Sequence, residues 1–252
     1  LKLISLNFLI ILFAACSDTS LSKESYVSCK KEYVFDATRN RQIPIQIYTL
    51  ADSTRWNGEL VILNAGYGSS NTEYSYITSA LADKGYYVIS IQHEIQSDEP
   101  LPSGDDMIAL RTPNWREGIK SIEQVLKHMK KKTASISTKK IHLIGHSNGG
   151  DISVLFASEN SKRVHSLITL DHRRMPIPLS KDFKTLSFRS DEFEVDAGVI
   201  PSSSDQKEFG IEIVYLKNVN HNYLRDIGTK ETKSTVISSI FQFLNFHSTQ
   251  SF

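Results

Sequence analysis

The segment Ile141-His142-Leu143-Ile144-Gly145-His146-Ser147-Asn148-Gly149-Gly150 constrains this chain more than any other. A short apolar run leads into a serine flanked two residues away on each side by glycine, which is the pattern of a strand, a very tight turn and a helix, with the serine at the tip. Side chains two positions before or after the serine would collide with the backbone of so sharp a turn. Gly145 and Gly149 remove that collision.

The surrounding sequence supports a parallel sheet. From residue 59 onward, apolar runs at Leu60 to Leu63, Tyr86 to Ile91, Ile141 to Ile144, Leu167 to Leu170, Leu186 to Phe188 and Ile211 to Leu216 alternate with helical stretches near 72–84, 115–131, 148–158 and 233–246. Strands without polar alternation are those buried on both faces, as in a sheet covered by helices. Gly85 suits the end of the first helix and Asn114, behind Pro113, the start of the second. Before them, Glu32 to Phe35 and Ile43 to Tyr48 alternate around Asp36-Ala37-Thr38-Arg39-Asn40, predicting an antiparallel hairpin with Pro44 marking an edge strand. Residues 92–113 lack periodicity and carry Pro100, Pro102 and Gly104, which reads as a loop or small lid over the carboxyl ends of the strands.

The first residues differ in kind. Lys2 precedes a mostly apolar stretch from Leu3 to Ala15, too short for a membrane span but suited to a secretory signal. It ends Phe13-Ala14-Ala15-Cys16, which resembles the lipobox of bacterial lipoproteins. Residues 1–16 are therefore expected to be a signal segment with Cys16 lipidated, residues 17–29 a tether, and residues 30–252 one folded domain. The resemblance implies a cell-envelope lipoprotein, with Ser17 suggesting the outer membrane, facing the periplasm or the surface; secretion to the periplasm is the alternative. Cys29 then has no disulfide partner. The formal net charge of +1 offers no electrostatic reason to expect a nucleic-acid partner.

A hairpin, then strand and helix in alternation, with Gly145-His146-Ser147-Asn148-Gly149 after the third parallel strand, resembles the α/β-hydrolase family over roughly residues 30–247. The fold implied is α/β: a mostly parallel sheet with an N-terminal antiparallel hairpin and helices on both faces. The resemblance makes Ser147 the nucleophile. It places one oxyanion-hole donor on the backbone N–H after it, at Asn148, and another in the turn Asn64-Ala65-Gly66-Tyr67-Gly68, at Tyr67. Asn64 and Ala65 depart from the family's usual His-Gly form.

Among eight histidines, His221 lies in the loop after the last strand, where the family carries its general base. The orienting acid stays open among three residues: Asp196 fits the usual acid loop best, Asp171 follows the preceding strand, and Asp191 comes third. All keep the chain order serine, acid, histidine. The implied activity is a serine hydrolase, carboxylesterase-like, acting on a small-molecule ester or related acyl bond. A peptidase or acyltransferase on the same triad, or a non-catalytic binding lipoprotein, are the alternatives. Arg173 and Arg174 could hold an anionic group or pair with a lid acid such as Asp98 or Glu99. His93-Glu94 lacks the second histidine of a zinc-protease helix, and no other cluster shows metal-ligand spacing. No metal and no cofactor are expected.

Overall fold

The computed structural model describes residues 26–245. The expected signal segment and the lipidation site Cys16 lie outside the described residues. The chain order is β1 (Val27–Asp36), β2 (Arg41–Leu50), β3 (Leu60–Asn64), α1 (Ser75–Asp83), β4 (Tyr87–Ile91), α2 (Met107–Lys132), β5 (Ile141–His146) and α3 (Ser147–Glu159). There follow β6 (Val164–Leu170), β7 (Lys184–Arg189), α4 (Ser203–Phe209), β8 (Ile211–Tyr215) and α5 (Lys230–Phe243). The strands form one sheet in the order β1-β2-β4-β3-β5-β6-β7-β8. β1 and β2 pair antiparallel, β2 runs antiparallel to β4, and every later neighbour is parallel.

The unbroken apolar runs are explained by two cores, one on each face of the sheet. In β3, Leu60 and Ile62 belong to the core that includes Trp115, Ile122 and Val125 of α2 and Ile152 and Phe156 of α3. The intervening Val61 and Leu63 belong to the core with Ile77 and Leu81 of α1 and Val236 and Ile240 of α5. The two-residue period of a strand thus sends alternate side chains to different helices, so both sets must be apolar. These four side chains are fully buried, each contributing on the order of 1.5–3 kcal/mol relative to exposure.

Several assignments differ from the sequence expectation. β1 begins at Val27, so residues 27–29 are strand rather than tether, and the exposed Cys29 is held by Gln46 Nε2 at 2.7 Å. Pro44 lies in β2, which β1 and β4 flank, so it does not mark an edge. The Pro44 carbonyl accepts from Gln92 N at 3.1 Å, and ladder pairing with β4 starts at Ile45. The missing proline N–H therefore falls where that pairing ends.

α2 starts at Met107 instead of near residue 115, and its N-cap is Asp106, whose side chain accepts from Ala109 N at 3.0 Å. Pro113 lies inside the helix, and Asn114 is a helical residue rather than the cap. The carbonyl that proline deprives of an N–H belongs to the exposed Ala109, which water can satisfy. The loop over the strand ends is thus residues 92–106. The short α4, with Gly210 in left-handed conformation behind it (φ 63°), has no counterpart in the sequence reading. Among the described residues, no helix is long and apolar enough to cross a membrane.

Candidate active site

Ser147 joins β5 to α3 with φ 52°, left-handed for a residue that bears a side chain. The packing shows why glycine is required around it. A Cβ on Gly145 would lie 2.3 Å from the Gly149 carbonyl oxygen, and one on Gly149 would lie 2.2 Å from the Asn64 carbonyl oxygen. The turn is pressed between its own helix and the end of β3, so only hydrogen fits at either position.

Asn64, the residue that departs from the usual family form, fastens this junction. Its Nδ2 donates to Ser153 Oγ at 2.8 Å, and Ser153 Oγ donates to the Gly149 carbonyl at 2.7 Å. Its Oδ1 sits 2.9 Å from His93 Nε2. His93 is buried, and that burial drives its pKa down to about 3. It is therefore a neutral donor to Asn64, and the side chains of β3, the loop after β4 and α3 are locked together.

The turn after β3 lies against the Ser147 turn, since a Cβ on Gly66 would meet His146 Nδ1 at 2.8 Å and Ser147 Cβ at 3.3 Å. The Gly66 N–H donates to Tyr74 Oη at 3.0 Å, and Tyr74 Oη lies 3.0 Å from His146 Nδ1. His146 Nε2 in turn meets the His221 carbonyl at 3.1 Å. His146 is fully enclosed, and burial together with the neighbouring His221 lowers its pKa to about 3. A neutral imidazole with a carbonyl facing Nε2 carries its proton there, so Nδ1 accepts from the tyrosine hydroxyl. Tyr67 N makes no hydrogen bond among the described residues. Asn148 N lies in the first turn of α3, where helix geometry supplies no acceptor.

His221 Nδ1 stands 2.6 Å from Asp171 Oδ2. Asp171 follows β6 with φ 54° and is fully buried. Its Oδ1 accepts from Ser190 N at 3.0 Å, its Oδ2 from Ser190 Oγ at 2.6 Å, and Arg189 approaches Oδ1 at 3.2 Å. Burial alone would raise its pKa. The hydrogen bonds from His221 and Ser190 and the Arg189 charge outweigh it and hold the carboxyl at about 2.

This corrects the preferred sequence assignment: the acid beside His221 is Asp171, and Asp196 pairs with Arg174. The physical reason is strand order. β6 lies between β5 and β7, so a carboxyl at its end sits near the end of β5 and Ser147, whereas Asp196 is in a long loop beyond β7. Asp191, the third candidate, accepts from Asn218 N at 2.6 Å and Val219 N at 3.1 Å, and Glu192 accepts from His221 N at 2.7 Å. Those two acids hold the backbone of the histidine loop and leave its ring to Asp171.

The side chain of Asn148 is part of a network that the sequence did not reveal. Its Oδ1 accepts from Trp115 Nε1 at 2.8 Å, and its Nδ2 donates to Asn114 Oδ1 at 2.9 Å and Glu94 Oε1 at 3.0 Å. Burial raises Glu94 to about 7 against the opposing effect of its Asn114 and Asn148 hydrogen bonds. The early start of α2 is what brings Asn114 and Trp115 here. Glu94 and Tyr67 border a cleft of about 480 Å³ beside the turn after β3.

Of the arginines singled out by sequence, Arg174 is taken by Asp196, and the lid acid Asp98 pairs with Arg41 instead. The Arg173 guanidinium lies 4.4 Å over the Phe193 ring, and Phe193 packs edge-on against His221 at 5.7 Å. Arg111 Nε reaches the Pro102 carbonyl at 3.4 Å. Away from this site, the fold brings one possible ligand atom from each of Glu59, His142 and His165 to within 4.8 Å of one another.

The strand order, the sharp turn at Ser147 and the acid–histidine pair define the class: the chain has the α/β-hydrolase fold. Within it, residues 57–170 match the model of the serine aminopeptidase S33 family. No curated protein matches the sequence. Among solved structures, dienelactone hydrolase from Anabaena variabilis aligns with a TM-score of 0.57 at 16% identity, covering 87% of this chain and 97% of that one. Ferulic acid esterase from Streptomyces cinnamoneus aligns at 0.60 and 15% identity, covering 90% and 91%. The thioesterase domain from the curacin biosynthetic pathway aligns at 0.56 and 12% identity, covering 85% and 99%.

Proposed function

We propose that this protein is a serine hydrolase that cleaves an ester or related acyl bond through an acyl-enzyme. The observation that carries the reading is the 2.6 Å contact between His221 Nδ1 and the buried Asp171 carboxylate, in a fold whose β5–α3 turn presents Ser147. With Nδ1–H donated to Asp171, His221 Nε2 is the free base that a serine nucleophile needs.

Ser147 Oγ attacks the carbonyl carbon while its proton passes to His221 Nε2. The Tyr67 and Asn148 N–H groups receive the developing oxyanion. Collapse expels the alcohol, which takes the proton from His221. Water then adds to the acyl carbon with His221 again as base, and Ser147 Oγ leaves with that proton. Asp171 stays ionised throughout and stabilises the imidazolium.

A fluorophosphonate probe tests this: the wild-type protein is expected to be labelled stoichiometrically and Ser147→Ala not at all. Equal labelling of both, or none of the wild type, overturns the reading. The match of residues 57–170 to serine aminopeptidases favours one second reading, a peptidase on the same residues. Hydrolysis of aminoacyl amides faster than of matched esters is its signature. The Cys16 segment further supports a lipid-anchored protein of the bacterial cell envelope. Metabolic fatty-acid labelling that disappears in Cys16→Ser is the expected result.

A further inference from the structure

At the end of the sheet opposite Ser147, three side chains converge that the sequence keeps far apart. Glu59 precedes β3, His142 is the second residue of β5, and His165 the second of β6. One donor atom from each lies within 4.8 Å of the other two, and His142 Nε2 stands 3.5 Å from Glu59 Oε2.

His142 is the built part of this arrangement. It is 3% exposed, its Nδ1 is fixed by Ser166 Oγ at 2.8 Å, and its Nε2 has no hydrogen-bond partner. When Nδ1–H donates to Ser166 Oγ, Nε2 turns a lone pair toward the partly exposed Glu59 carboxylate at 3.5 Å, a pair of acceptors that a cation would bridge. A hydrogen bond at one ring nitrogen that orients the other is also the usual support of a metal-ligating histidine. Tyr86 braces the His142 ring edge-on at 5.3 Å, and His165 packs against it at 4.6 Å.

We propose that Glu59, His142 and His165 bind a divalent cation of the zinc class, with water completing the shell. Donors around a tetrahedral ion with bonds of about 2.1 Å stand about 3.4 Å apart. The Glu59–His142 pair already has that spacing, and His165, which is exposed, is free to close the remainder. Two imidazole nitrogens favour zinc, nickel or copper over calcium or magnesium, which take oxygen. The three residues open onto a cleft of about 660 Å³ that gives water and ion access. Of the lysines lining it, Lys181 pairs with Glu208 at 3.0 Å and Lys140 meets the Asp182 carbonyl at 3.5 Å.

His142 lies five residues before Ser147, roughly 16 Å along an extended strand. The ion would therefore take no part in acyl transfer. It would fasten the starts of β3, β5 and β6.

The test is calorimetric titration of zinc chloride into the untagged, chelator-treated protein, with thermal melting alongside. One zinc per chain is expected, with Tm rising by roughly 5–10 °C at zinc 100-fold above Kd. Glu59→Gln and His165→Ala alter residues outside the core, so both variants are expected to fold, to bind at least tenfold more weakly and to lose most of the Tm shift. Absence of stoichiometric binding, or unchanged zinc affinity in both variants, would overturn the proposal. Fluorophosphonate labelling of Ser147 is expected to be equal with and without zinc, which separates this result from the hydrolase reading.

Discussion

The His146 ring lies 4.6 Å from that of His221, and its Nε2–H reaches the His221 main-chain carbonyl at 3.1 Å. His146, the residue before Ser147, thereby holds the loop that carries His221. On its other side it binds Tyr74, which binds Gly66 of the turn after β3. Three loops on which the proposed acyl transfer depends are thus joined through one neutral, buried imidazole. Tyr74→Phe removes the middle of this chain and leaves both the Gly66 N–H and His146 Nδ1 without a partner. It is expected to lower stability by about 1–3 kcal/mol and kcat by about tenfold, corresponding to about 1.4 kcal/mol of transition-state positioning. KM should change little. Urea unfolding and ester kinetics on the same preparation check both values; a change in KM alone would place Tyr74 in substrate binding instead.

Asp171 and Asp196 differ in what they neutralise, and this separates their variants. Asp171→Asn leaves His221 facing an amide, which does not fix the tautomer or stabilise the imidazolium, so kcat is expected to fall by about 10³–10⁴. Asp196→Asn breaks a half-exposed pair with Arg174 and is expected to leave kcat/KM within about threefold. The reverse order of effects would restore Asp196 as the acid. Asp171 also contributes to stability. Its folded pKa, about 2, is below the reference 3.8, so the contribution is present above pH 4 and lost as pH falls toward 2. Its size is about 2 kcal/mol, read as the difference between wild type and variant in urea melts at pH 5 and pH 2.

Glu94 titrates in the opposite sense. Its pKa is raised from 4.5 to about 7, so the folded protein holds a proton that the unfolded chain has released. Stability associated with this group is present below pH 4.5 and declines as pH rises through 7, by roughly 3 kcal/mol in all. Glu94→Gln keeps the hydrogen bond to Asn148 Nδ2 without the charge. The variant is expected to show a flatter stability profile between pH 5 and pH 8 than the wild type. A wild-type profile as flat as the variant's would mean that Glu94 is ionised in the fold at no cost.

The parts of this site visible in sequence are those fixed by backbone geometry. Gly145, Ser147 and Gly149 are forced by one turn, and His221 by its place after the last strand, so local pattern is sufficient for them. The local sequence favours Asp196 because of its loop; the position of β6 beside β5, which neither loop records, brings Asp171 to His221 instead. Asn114, Trp115 and Glu94 escaped for a related reason. Pro113 reads as a helix boundary, yet α2 runs through it, since Ala109, whose carbonyl it leaves unbonded, is exposed. Glu59, His142 and His165 show no spacing of any kind, because neighbouring strands bring them together only after the sheet has formed.

Gly66 tests whether the turn after β3 must lie against the Ser147 turn. A Cβ there would stand 2.8 Å from His146 Nδ1, 3.2 Å from the His146 carbonyl oxygen and 3.3 Å from Ser147 Cβ. His146 cannot yield easily, being held by Tyr74 and by the His221 carbonyl, so the turn itself must move away. Displacing the neighbouring Tyr67 N–H by a few tenths of an ångström weakens a donor proposed to act mainly in the transition state. Gly66→Ala is therefore expected to lower kcat by about 10²–10³, the cost of losing one oxyanion donor, while KM for an ester stays within a few-fold. Core packing is largely untouched, so Tm should fall by only a few degrees. Near-normal kcat in a folded Gly66→Ala protein would show that the second donor comes from elsewhere than this turn.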